Sequence, residues 1–157
     1  MTTRTAPEWW FYHLDRPNLE RAAAPLIEKC LERDWRVLVV SSDATRRARI
    51  DEALWTYRDD SFLPHGEADA EGLDAARQPV LIASTPENLN SADAVLLLDA
   101  ADLPVSAAFA RCMVMFDGAD SETRARARSQ FKAAREAGLT CRYFQQTSRG
   151  GWKEAGA

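Results

Sequence analysis

The stretch Trp35 to Trp55, WRVLVVSSDATRRARIDEALW, changes its periodicity in the middle. Val37 to Ser41 is a short, continuous apolar run without polar alternation, the pattern of a strand buried on both faces of a largely parallel sheet. Asp43 then supplies an N-cap, and Asp43 to Trp55 reads as a helix. The same alternation recurs outward in both directions. Strands are expected at Phe11 to His13, Val80 to Ala83, Val95 to Asp99, Cys112 to Phe116 and Arg142 to Phe144. Further helices are expected at Asn18 to Arg33, Val105 to Arg111 and Ser121 to Ala137, the last capped by Asp120 or Ser121 and stopped by Gly138. The fold class is therefore α/β, a single doubly wound, largely parallel sheet flanked by helices. Pro25 predicts a late start or a bend in the first helix. Gly66 to Gln78, rich in Ala, Gly, Asp and Glu, reads as a surface loop. There is no internal repeat or linker.

The chain has 157 residues, 46% of them hydrophobic and 28% charged, the size of one domain with one core. Its formal net charge of −4 and pI near 5.2 argue against a dedicated nucleic-acid binder, whose phosphate contacts need a basic excess. No apolar run reaches the roughly 18 residues of a membrane span, and MTTRTAPEWW lacks a signal peptide's apolar region, so a cytoplasmic location is expected. Cys30, Cys112 and Cys141 are far apart and odd in number, with no C-x-x-C spacing. They read as small buried hydrophobes rather than disulfide partners or zinc ligands.

A doubly wound sheet invites a nucleotide-binding reading, which the motifs oppose. Ala94 to Asp102, AVLLLDAAD, resembles a strand ending in a metal-orienting aspartate, which makes Asp99 and Asp102 the residues of an atypical nucleotide-binding alternative. The chain contains no G-x-x-x-x-G-K-[ST] to cradle a phosphate, and no G-x-G-x-x-G follows the first strand. Ser129 and Lys132 form an S-x-x-K in mid-helix without its companion motifs, a chance match. His13 reads as a strand residue with a satisfied ring, and His65 as a hydrogen-bonded turn residue. No catalytic constellation, metal site or cofactor is expected.

Two surfaces remain. Ile50 to His65, IDEALWTYRDDSFLPH, ends a helix at Trp55 and runs into a short extended segment closed by Pro64. Trp55 and Phe62 are either core or knobs that a partner buries. In Ser121 to Ala137, Arg124, Arg128, Phe131, Lys132 and Arg135 fall in a stripe about 100° wide, with Ala127, Ala134 and Ala137 to one side. Guanidinium groups beside a ring suit a ligand both anionic and apolar. An acidic peptide ending in an apolar residue fits, as does a phosphate backbone in direct single-stranded DNA binding; a solvated helix face with Phe131 at the core edge is the plain alternative.

DEALW followed by SFLPH, with FYHL at Phe11 to Leu14, WRVLVV at Trp35 to Val40 and SETRARARSQFKAAREAGL at Ser121 to Leu139, resembles the chi subunit of the bacterial DNA polymerase III holoenzyme, a clamp-loader accessory protein. The resemblance covers most of the chain, except about Gly66 to Ala76 and the stretch after Gln145. It implies a non-catalytic subunit of a DNA-directed DNA polymerase (nucleotidyltransferase) assembly acting in DNA replication. Arg124, Arg128, Phe131 and Lys132 would bind the acidic, phenylalanine-ended C-terminal tail of single-stranded DNA-binding protein, with Phe131 where many members carry tyrosine. Trp55, Phe62 and Pro64 would bind the psi subunit or an equivalent clamp-loader component. Residues 1–146 would form one α/β domain and 147–157 a loose tail, in a chain that is monomeric within a hetero-complex.

Overall fold

The computed structural model describes residues 7–16, 18–57 and 64–155. Eight strands form one sheet: β1 (Glu8–Leu14), β2 (Val37–Val40), β3 (Gly66–Glu67), β4 (Val80–Ala83), β5 (Ala94–Leu98), β6 (Arg111–Asp117), β7 (Thr140–Gln146) and β8 (Trp152–Glu154). Among the described residues three helices cover it: α1 (Leu19–Glu32), α2 (Ala44–Trp55) and α3 (Ser121–Glu136). The strand order is β3-β4-β2-β5-β6-β1-β7-β8, parallel throughout except where β8 pairs antiparallel with β7.

The apolar runs explain the layering. Alternate residues of β2, β4 and β5 point to opposite faces, and both faces are buried. Val37, Val39, Ile82 and Leu96 meet Ala23 and Ile27 of α1 and Ile50 and Leu54 of α2 on one face. Leu38, Leu81, Leu97 and Val114 meet Ala127 and Ala134 of α3 on the other. Each fully buried Leu, Ile or Val contributes about 1.5–3 kcal/mol. Alanines on α3 let that helix lie close to Phe11 and Phe116, which supply the bulk from the strands.

α1 starts at Leu19 and continues through Pro25, so the expected late start does not occur. It ends in a Schellman arrangement, with Asp34 at φ 60° and the Trp35 and Asp34 amides bonded to the Cys30 and Leu31 carbonyls at 3.0 Å. The helix expected at Val105 to Arg111 is absent. A single turn closes from the Ala107 amide to the Pro104 carbonyl, and Arg111 already opens β6 opposite Glu8 and Ala94. Leu103 and Phe109, buried, anchor that irregular crossover instead of a helical face. Within the expected surface loop, Gly66–Glu67 adds an edge strand, and Ala75–Arg77 forms a 3-10 turn. The stretch expected to be loose carries β8, whose Glu154 accepts two bonds from Arg142 at 2.7 and 2.9 Å and whose Trp152 meets the Tyr12 ring at 5.1 Å. Cys30 and Cys112 are buried free thiols, and burial pushes Cys112 up to about 12; Cys141 is half-buried and free.

Candidate protein-binding surfaces

α3 begins at Asp120, whose carboxylate accepts the Glu122 amide at 3.0 Å and the Thr123 amide at 3.5 Å. It ends against Gly138, whose φ of 78° suits a residue without Cβ. Between these ends the burial of Thr123, Ala127 and Ala134 fixes the helix rotation. Arg128 and Lys132 are then exposed, Arg124 is half-buried, and Phe131 lies at the core edge, its ring 5.1 Å from Phe11 and 6.2 Å from Tyr143. The Arg135 guanidinium lies 5.8 Å from the Phe131 ring centre.

The charges of this stripe are poorly compensated. Among the described residues Arg124 donates only to the Gly118 carbonyl, at 3.3 Å. Among the described residues Arg128 has neither a hydrogen bond nor an ion pair, and Lys132 meets Glu136 only at 4.0 Å, with both side chains exposed. Exposed pairs of that kind contribute little.

Beside the arginines, β1 and β7 place His13 and Tyr143, whose Nδ1 and hydroxyl are 2.5 Å apart. Burial holds the His13 imidazole below its usual range; Asp15 pulls the other way, Arg124 adds to the lowering, Asp117 opposes it and Arg128 adds again. Burial also raises the Tyr143 phenol, against the pull of Arg128 and Arg124. His13 thus has the satisfied ring expected of it. Tyr143 was not singled out from the sequence, although period-two alternation of β7 puts it, with Cys141, on the α3 side.

The second surface starts from α2. Its N-cap carboxylate, Asp43, accepts the Thr45 amide at 2.9 Å. Because Ile50 and Leu54 point into the core, the next position turns outward, and Trp55 is 57% exposed. Its ring lies edge-on to His65 at 5.3 Å, and His65 Nε2 is 2.9 Å from an Asp51 carboxylate oxygen. His65 is thereby held by α2 as a turn residue. Pro64 is exposed, and Phe62 lies outside the described residues. The two surfaces are separate: α2 and α3 cover opposite faces of the sheet.

The aspartates of the nucleotide-binding alternative lie at a cleft of about 550 Å³ beyond the ends of β2 and β5, where the strand order reverses. Both Asp99 oxygens are taken by Arg46, at 2.9 and 3.0 Å, and Arg46 also meets Glu20 at 2.5 Å. Asp102 is exposed at the rim. Among the described residues no three His, Cys, Asp or Glu side chains cluster to hold a metal ion, and no helix is long and apolar enough to cross a membrane.

The family model of the DNA polymerase III chi subunit, HolC, matches residues 7–142, from the first strand to β7. The chain belongs to the chi subunit family. A probable DNA polymerase III subunit chi of Rickettsia prowazekii (strain Madrid E) is 28% identical over 93 residues, which are 59% of this chain and 54% of that protein. The chain thus spans about half the length of the curated relative it matches. The chi match takes in α2 with Trp55, all of α3 and β1 with His13, and ends one residue short of Tyr143.

Proposed function

We propose that this chi-family chain is a non-catalytic adaptor of the DNA polymerase III holoenzyme in DNA replication. Its α3 face takes the acidic C-terminal tail of single-stranded DNA-binding protein, and its Trp55 face joins psi, or an equivalent component, of the clamp loader. The observation that carries the first half is the strip of Arg124, Arg128 and Arg135, without an ion pair among the described residues, beside the Phe131 and Tyr143 rings in a protein of net charge −4. Acidic side chains and a terminal carboxylate pair with guanidinium groups, and an apolar last residue covers the ring between them. Family members with tyrosine at the Phe131 position have a hydroxyl there; here Tyr143 offers one from the neighbouring strand. The second half is supported by Trp55, a large apolar side chain held outward by buried neighbours.

Mechanically the protein is a tether. A weak tail contact becomes effective because a coating protein presents many tails along DNA, raising local concentration without tight single-site binding. The test is the anisotropy of a fluorescent tail peptide titrated with wild type and Arg128→Ala across a salt series. Binding that weakens with salt and falls about tenfold or more in the variant supports the adaptor. Absence of binding by folded wild type at low salt overturns the tail-binding half. Trp55→Ala, tested for psi capture, addresses the other half independently.

A further inference from the structure

On the α1 side of the sheet, beyond the edge of that helix, lies a groove of about 380 Å³ walled by Trp10, Phe144 and Trp152. Among its lining residues the Arg111 guanidinium lies over the Trp10 ring, its carbon 3.6 Å from that ring centre and 5.0 Å from the centre of Trp35 behind the groove. Arg33, placed by the Schellman turn after α1, lies 4.6 Å from the Trp35 ring centre. Arg142 covers Trp10 at 4.4 Å, but its charge is answered by Glu154.

Arg111 has no such answer. Among the described residues its guanidinium makes no hydrogen bond and no ion pair, and its Nε is buried without a partner. Tyr12 lines the same groove with 4% of its surface exposed, and its hydroxyl makes no hydrogen bond among the described residues. Lys29, Arg33 and Arg111 face a single lining carboxylate, Glu32, so the groove is locally basic in an acidic protein. Burial, followed by the neighbouring Arg33, holds the Arg111 guanidinium below its usual range against the pull of Tyr12, Cys30 and Glu8; an anion placed there offsets the Arg33 repulsion.

Ring stacking spends the faces of a guanidinium and leaves its edge donors for an acceptor in the ring plane, the geometry that takes a phosphate in a bidentate fashion. Cations alternating with rings along one groove match a polymer that alternates phosphates with rings. We propose that this groove binds single-stranded nucleic acid, with a backbone phosphate on Arg111 and Tyr12 and the next toward Arg33 and Lys29. The groove is on the face opposite α3, so it binds without the tail-binding strip.

The test is a short fluorescein-labelled oligothymidine titrated at about 50 mM salt, read by anisotropy and by quenching of tryptophan emission. Arg111→Ala and, independently of any folding effect, Arg33→Ala are each expected to weaken binding about tenfold or more. Arg77→Ala, which removes one exposed charge elsewhere, is expected to leave it unchanged. Tail-peptide binding is measured on the same variants and should not change. Absence of oligonucleotide binding by wild type overturns the proposal, as does equal binding by wild type and both groove variants. Loss of tail-peptide binding in Arg111→Ala also overturns it and gives the groove to an acidic peptide instead.

Discussion

Replacing Gly118 by alanine puts a new methyl carbon 1.8 Å from His13 Nε2, 2.4 Å from its Cδ2 and 2.8 Å from its Cε1. Gly118 is not in the left-handed region, so the backbone itself tolerates a side chain there. The whole cost therefore comes from the imidazole, which must leave its place. It is tied to Tyr143 at 2.5 Å and lies against the Phe116 ring at 5.1 Å. Forcing the ring off its rotamer costs about 0.5–1.5 kcal/mol. Losing a neutral hydrogen bond costs about as much, for a total near 2 kcal/mol, within the range found for overpacking. For a chain of this size that is a fall in Tm of about 4–8 °C. Urea and thermal unfolding of Gly118→Ala, His13→Ala and the double variant close a thermodynamic cycle. With the imidazole removed, the methyl meets no ring, and reduced freedom of the unfolded chain makes the alanine neutral or stabilising by about 0.4–1 kcal/mol. The expected coupling is thus 1.5 kcal/mol or more, on the order of the larger values for residues in contact. Equal cost of Gly118→Ala in both backgrounds, or no cost in the parent, would refute the placement of His13 over this turn.

His13 also gives a pH dependence with a defined sign. Its folded value lies below its unfolded one, so the unfolded chain binds more protons between the two. The contribution is complete above the unfolded value near 6.5 and is lost as pH falls through the depressed folded value. Stability of wild type relative to His13→Gln should therefore decline on acidification below about pH 6.5; parallel curves for the two proteins would rule this out. Adjacent residues of α2 should respond oppositely to truncation. Leu54→Ala, at a fully buried site, is expected to cost about 2–5 kcal/mol, whereas Trp55→Ala costs about 1 kcal/mol or less while abolishing psi capture. A loss above about 3 kcal/mol for Trp55→Ala would place that ring in the core.

The central strands were legible because burial on both faces writes the same apolar message at every position of VLVV, VLIA and AVLLL. The helix caps Asp43 and Asp120 were equally direct, since local side-chain to amide bonds depend on few residues. Val105 to Arg111 misled because its composition allows a helix, while the register of β6 against β1 and β5 claims Arg111 for the sheet. The β8 strand was invisible because a three-residue edge strand is defined by its partner, through the Arg142 and Glu154 pair, rather than by its own pattern. The α3 strip was visible only in part. Helical spacing put Arg124, Arg128 and Phe131 on one strip, but Tyr143 and His13 join them only through the crossover that sets β7 beside β1. Trp10, Trp35 and Arg111 come from three separate segments, and no spacing links them.

The sequence RARAR of Arg124, Arg126 and Arg128 shows why charge counts alone do not find a surface. Successive arginines two apart are turned by about 200°. Arg126 therefore leaves the strip and reaches across to β5, where it donates to the Asp99 carbonyl at 2.8 Å and meets Glu122 at 3.4 Å. Gln130, one turn on, donates to the Ala101 carbonyl at 2.9 Å. These bonds hold Asp99 and Ala100 at φ 55° and 53°, a pair of strained positions that persists only when over-determined. Arg46 closes the same corner through its bidentate hold on the Asp99 carboxylate. At the end of the sheet where doubly wound enzymes place a ligand, Arg46, Arg126 and Gln130 thus brace Asp99 and Ala100 beside the cleft. One flank of α3 is spent on that brace, which fixes the helix so that its other flank presents Arg124 and Arg128 beside Tyr143 without an ion pair among the described residues.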